Sequence, residues 1–115
     1  MSESLRQKQS RFVRMLGQLI EFAYENGYEL TLGDGYRDPR VFGVHGETRG
    51  YGHPYSAHKI RLACDLNLFH NGEWLQNTDD FALLGQFWES LSADARWGGR
   101  FKDGNHFSLE HNGRM

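Results

Sequence analysis

Two short stretches of this 115-residue chain concentrate the side chains that can do chemistry. The first, over 56–65, carries Ser56, His58, Lys59, Arg61, Cys64 and Asp65. The second, over 97–107, carries Trp97, Gly98, Gly99, Arg100, Asp103, His106 and Phe107. Six histidines stand beside one cysteine, so any bound metal has to be held by imidazole and carboxylate rather than by a thiolate cluster. Two imidazoles and one carboxylate leave an open fourth position on a tetrahedral zinc, the arrangement of a catalytic rather than a structural site. A nearby carboxylate then has to accept a proton from water and pass it to a leaving amine. No H-E-x-x-H, G-x-S-x-G or phosphate-loop pattern is present, and Gly33-Asp34-Gly35 lacks the third glycine of a dinucleotide fingerprint.

These residues need a scaffold, and the chain supplies its signals. Leu5, Phe12, Val13, Leu16, Leu19, Ile20 and Ala23 recur at helical spacing, which predicts an amphipathic helix near 4–26. Ser2 or Ser4 caps its start and Asn26-Gly27 stops it. Residues 28–32 alternate like a short strand, and 33–55, with six Gly and both Pro, read as one long irregular connection. The alternation over 62–68 predicts a strand, and His70-Asn71-Gly72 a hairpin turn toward Trp74. If Asp65 points toward a site, Ala63 and Asn67 share its face and Cys64 points into the core as an inert hydrophobe. Thr78 or Asp79 is expected to cap a second helix reaching about Leu91, with Phe81, Leu84, Phe87, Trp88 and Leu91 on its apolar side. The tail from 96 to 109 reads as turn, strand and turn. Trp74, Phe87 and Trp88 are expected in the core, as are Trp97 and Phe107, although these two could also line a cleft. The expected architecture is α+β: one small domain over 1–115, with helices packed on an antiparallel sheet.

Taken together, the two stretches resemble the zinc peptidases of the D-Ala-D-Ala carboxypeptidase and dipeptidase family (M15), in particular small phage endolysins that act as L-alanyl-D-glutamate endopeptidases. Ser56, His58, Ala63 and Asp65 match the family's S-x-H-x-x-G-x-A-x-D signature, with Arg61 at the Gly position. Trp97, Gly98, Gly99, Phe101, Asp103, His106 and Phe107 match its W-G-G-x-F...[DE]-x-x-H-F block, with Asp103 where many relatives have Glu. The resemblance runs from about 33 to 107. It implies a fold like that of Hedgehog and D,D-peptidase domains, with a zinc site at the sheet edge or cleft. It also implies that His58, Asp65 and His106 bind Zn2+, that Asp103 is the general base and acid, and that Arg37, in Gly35-Tyr36-Arg37, lies near the scissile carbonyl. Without the resemblance, Asp103 before Gly104 reads as a turn cap and Arg37 as a surface ion-pair residue. Ser56 reads as a cap for the turn into His58, and His45, His53, His70 and His111 stay unassigned.

Composition narrows the partners. The net charge of -2 argues against nucleic acid, and no apolar run reaches the length of a membrane span. The resemblance points to bacterial peptidoglycan as the partner of a monomer, and to hydrolysis of a stem-peptide amide, L-Ala to D-Glu foremost, by a phage or prophage lysis enzyme. With no signal segment in its polar start, the chain is expected in the host cytoplasm, reaching the wall through a pore made by another protein. A D,D-carboxypeptidase or D-Ala-D-Ala dipeptidase keeps the same zinc site. A catalytically silent wall-binding or tail module would keep the fold and bind zinc without turnover. Arg40, Arg49, Lys59, Arg61 and Arg100 are candidates for a basic patch facing the anionic wall.

Overall fold

The computed structural model of the chain describes residues 2–36 and 56–113. Helix α1, Leu5–Glu25, begins with a reciprocal cap. The Ser4 hydroxyl accepts from the Gln7 N–H at 3.1 Å, and the Gln7 side chain accepts from the Ser4 N–H at 2.8 Å. It ends at Asn26, and Gly27 turns the chain away at φ +85°. Phe12, Met15, Leu19 and Ala23 form its buried stripe at spacings of three and four.

Strand β1, Glu29–Leu32, leads by way of 33–36 out of the first described segment. A 3₁₀ turn, Ala57–Ile60, then feeds β2, Ala63–His70. Asn71 and Gly72, both at positive φ, make the two-residue turn into β3, Glu73–Leu75, with His70 opposite Glu73. The next helix starts one residue earlier than its sequence suggests. Asn77 is the cap, and its N–H donates to Asp80 Oδ2 at 3.1 Å. The first turn, Thr78–Phe81, is 3₁₀, and only then does α2, Ala82–Ser90, follow. In the tail, strand β4, Ala95–Trp97, comes first; a 3₁₀ turn, Gly98–Phe101, and β5, His106–Leu109, follow. A three-residue strand carries no periodicity, which is why the tail reads as beginning with a turn.

The sheet is antiparallel in the order β1-β2-β5-β4, and β3 pairs with the far end of β2. Along β2, Cys64, Leu66 and Leu68 face the helices with Phe107 and Leu109 of β5, and Phe12, Leu19, Phe81, Leu84 and Trp88 close over them. Phe12 and Phe107 each meet the Trp88 ring edge to face, at 5.6 and 6.0 Å, and the indole N–H donates to Ser108 O at 3.0 Å. The protein is thus a small α+β domain with two helices packed on an antiparallel sheet. Phe87 packs at the margin of this core, stacked on Phe22.

Trp74 is not core but 54% exposed, because β3 is short and its residue faces away from the helices. Lys59 is buried, which removes it from any exposed basic patch, while the Arg61 guanidinium lies 4.0 Å above the Tyr36 ring. Arg40 and Arg49 lie outside the described residues.

Candidate metal centre and active site

Antiparallel register brings the first two functional side chains together. Asp65 of β2 and His106 of β5 are direct partners across the ladder, so their side chains leave the same face. This is the face opposite the helices, and it belongs to the two inner strands of the sheet rather than to an edge strand. His58 comes from the 3₁₀ turn before β2. The Ser56 hydroxyl caps that turn by accepting from the His58 N–H at 3.2 Å, as its sequence position suggests.

The three side chains offer ligand atoms within 4.8 Å of one another. Asp65 Oδ1 lies 3.3 Å from both His58 Nε2 and His106 Nδ1, and the two imidazole rings are 5.2 Å apart at a steep angle. His58 is only 1% exposed and His106 only 7%. His58 Nδ1 is 2.7 Å from the Gly35 carbonyl. A carbonyl only accepts, so Nδ1 carries a proton, and Nε2 is the nitrogen turned toward Asp65. His58 Nε2 and Asp65 Oδ1 are both buried, and neither has a hydrogen-bond partner among the described residues. Such atoms are costly unless something else satisfies them. A divalent cation shared by two imidazole nitrogens and a carboxylate does so, and a histidine anchored through its other nitrogen to a carbonyl is the usual support of a metal ligand. The residues fit zinc on these grounds. Burial pushes the Asp65 carboxyl up, but the imidazoles of His106 and His58 outweigh it and hold it down to about 2, so it is an anion at neutral pH.

The backbone around Asp65 is fixed from both sides. Its N–H donates to Asp34 O at 2.7 Å and its carbonyl accepts from Gly33 N–H at 2.8 Å, while the next N–H, of Leu66, donates to Asn105 O at 2.9 Å. Cys64 faces the core, and burial pushes its thiol up to about 11, which leaves it an unreactive hydrophobe.

Asp103 lies beside this group, not within it. It is exposed, and no described residue hydrogen-bonds its carboxylate, but its backbone is clamped. Its N–H donates to Gly98 O at 3.0 Å and its carbonyl accepts from His106 N–H at 3.1 Å. The W-G-G stretch explains the clamp. A Cβ on Gly98 would sit 2.2 Å from Asp103 O, and one on Gly99 or Gly85 would strike the Trp97 ring, which is held between them. The Trp97 indole N–H donates to Gly104 O at 2.6 Å, closing the loop from the other side. Trp97 therefore shapes the loop that carries Asp103, and Phe107 is core.

Of the other candidates, Arg37, His45 and His53 lie outside the described residues. His70 packs its ring near Tyr28, and His111 Nδ1 is 3.4 Å from Lys8 Nζ, so neither belongs to the His58, Asp65 and His106 group. What the sequence did not signal is a cleft of about 280 Å³ next to Asp103, with Trp74 and Asn67 on its wall. The only available sign was the alternation that places Asn67 on the face of Asp65. No curated protein matches the chain. A family described as D-alanyl-D-alanine carboxypeptidase matches residues 49–109, a span just over half of the chain that holds all three clustered residues and Asp103. The chain belongs to this M15 family of peptidases.

Proposed function

We propose that the chain, as a single catalytic domain, is a zinc metallopeptidase that hydrolyses an amide bond in the peptide stem of bacterial peptidoglycan. The bond we assign is that between L-Ala and D-Glu, and the role that of a phage or prophage endolysin that reaches the wall through a pore made by another protein. The observation that carries the reading is the His58, Asp65 and His106 group, with both imidazoles buried and two ligand atoms left without a partner among the described residues, beside a clamped and exposed Asp103. In it, His58, Asp65 and His106 would hold the metal. Once bound, zinc supplies Lewis acidity, polarising the scissile carbonyl and making water a better nucleophile.

The chain's own residues do the rest. Asp65, ionised at neutral pH, offsets part of the charge of the cation. His58 keeps its nitrogen aimed because its other nitrogen is tied to Gly35. Asp103 accepts the proton of the attacking water on its carboxylate and delivers it to the nitrogen of the leaving amine. Its exposure suits that exchange, and the Gly98 and Gly104 contacts keep it in one place. Arg37 is assigned to the carbonyl oxygen, where a guanidinium stabilises developing negative charge.

The family's description favours a second reading, a D,D-carboxypeptidase acting at the far end of the stem. Mass spectrometry of fragments released from purified peptidoglycan separates the two. New N-terminal D-Glu, lost with a chelator and in Asp103→Asn, is expected; free D-Ala would move the assignment to the second reading. Stoichiometric zinc with no fragments would end both.

A further inference from the structure

The functional face of the sheet continues past the metal ligands. Alternation puts Asp65, Asn67 and Phe69 on one side of β2, and the register sets Trp74 of β3 beside Phe69 as it sets His106 beside Asp65. Strands β3 and β5 pair with the same edge of β2, one with 68–70 and the other with 63–65. Between them the pairing breaks, and the break opens into the cleft of about 280 Å³ lined by Asn67, Trp74, Gln76, Thr78, Asp103 and Asn105.

The chemistry of this lining is specific. One face of the Trp74 indole leans on Phe69, with ring planes 21° apart, and the residue is still 54% exposed. A large apolar ring held this way and left open to water is a platform for a flat, partly apolar ligand. Around it stand three carboxamides and a hydroxyl, which offer both donors and acceptors, and Lys102 and Asp103 add one charge of each sign. The Asn67 amide is oriented, since its Nδ2 donates to Thr31 Oγ1 at 3.2 Å and its oxygen stays available. An apolar platform edged by amides and a few charged groups matches a pyranose, whose C–H face stacks while its hydroxyls and N-acetyl group pair with polar side chains.

We propose that the cleft between β3 and β5 is a saccharide subsite, with Trp74 as its stacking platform and Asn67, Gln76 and Asn105 as its polar partners. It takes the N-acetylated sugar to which the stem peptide is attached. The inference rests on peptidoglycan being the substrate, and it sharpens the choice of bond. Phe69 lies four strand residues from Asp65, about 14 Å. One amino-acid residue covers at most about 3.6 Å. A sugar at Trp74 with the scissile amide at the metal ligands therefore leaves room for L-Ala, the lactyl link and the ring, the spacing of L-Ala to D-Glu cleavage. At the D-Ala end of the stem, the sugar would lie beyond the cleft.

The test has a binding arm and a kinetic arm. N-acetylmuramyl-L-alanine is titrated into the wild-type protein while the indole N–H resonances are followed by NMR, and the Trp74 signal, assigned with Trp74→Phe, is expected to move while that of buried Trp88 stays. Hydrolysis is then compared on L-Ala-D-Glu peptides with and without the sugar. Trp74→Ala is expected to lose about 10-fold in kcat/KM on the sugar-bearing substrate and nothing on the bare peptide, with Trp74→Phe retaining most of the activity. No shift at Trp74, or an equal loss on both substrates, overturns the subsite. If the sugar shifts Trp74 but neither substrate is cut, the subsite stands and the endopeptidase reading falls. If both substrates are cut and the sugar leaves Trp74 unmoved, the reverse holds.

Discussion

A four-residue 3₁₀ turn that closes on a left-handed basic residue occurs twice in this molecule. Ala57–Ile60 closes on Arg61 at φ 58° and ψ 35°, and Gly98–Phe101 closes on Lys102 at φ 58° and ψ 34°. The backbones are nearly the same, and the surroundings are opposite. The first turn is packed among Ala57, His58 and Lys59, all buried, and turns an imidazole inward with its far nitrogen tied to Gly35. The second leaves Phe101, Lys102 and Asp103 exposed and is held by its glycines against Trp97. One local structure thus places a buried imidazole and an exposed carboxylate, which in the proposed function are a ligand kept dry and a group that exchanges protons with solvent. The difference lies in packing, not in the turn.

The sharpest way to break this comparison is to remove one side chain from each turn. His58→Ala should abolish stoichiometric zinc together with activity. Asp103→Asn should keep zinc and lose about 10² to 10⁴ in rate. Metal analysis and hydrolysis assays on both proteins check this, and loss of zinc from Asp103→Asn would erase the distinction. Next in size is Gly98→Ala, whose new methyl would press on Asp103 O. A displacement of about 1 Å there should cost about 100-fold in kcat/KM, with a smaller fall in zinc affinity.

The left-handed residues sharpen the comparison further. Lys102→Gly should stabilise the fold by about 1 kcal/mol, as a non-glycine residue at positive φ is strained. Arg61→Gly should gain less, because it also gives up the guanidinium over Tyr36, a contact of about 0.5–1 kcal/mol at an exposed site. Denaturant titrations measure both, and equal gains would mean that the Tyr36 contact contributes nothing. The smallest effect is expected away from both turns. The Arg11 guanidinium, with help from Ser92, holds the Asp94 carboxyl well below its ordinary range, at 2.6 Å from Arg11 Nη2. A lowered folded value contributes stability above the unfolded pKa of about 3.9 and loses it as the pH falls below that. Asp94→Asn should cost about 1 kcal/mol at pH 7, since the pair is partly solvated, and the cost should shrink toward pH 3 in parallel denaturation curves.

Much of the frame was legible from local signals. The serine cap of the first helix, the β2 alternation and the Asn71-Gly72 turn each act over a few residues, and each survives in the fold, with Ser4 rather than Ser2 as the cap. The paired blocks around His58 and His106 were legible through the family resemblance alone, since no local pattern says that the register sets Asp65 opposite His106. Other features depend on tertiary context. That Trp74 is exposed follows from where β3 stops, and that Lys59 is buried follows from what covers its turn; neither has a local code. The Arg61 substitution was readable as a departure, but not that Arg61 keeps the left-handed conformation a glycine would adopt. The Asp103 clamp was hidden because Gly98 and Gly99 reveal their role only once Trp97 and Asp103 O are in place.

The ladder between β2 and β5 has a consequence for how the molecule comes apart. Asp65 and His106 face each other in register on the two inner strands, so they part only when the sheet itself opens. His58 hangs on a single 3₁₀ turn held by a few hydrogen bonds, and such segments open at lower free energy than the sheet. Two of three ligands should thus outlast the third in partly opened forms, giving the protein a slow global clock and a faster local one. Amide hydrogen exchange would register the two separately, with Leu66 and Phe107 among the last to exchange and His58 among the first.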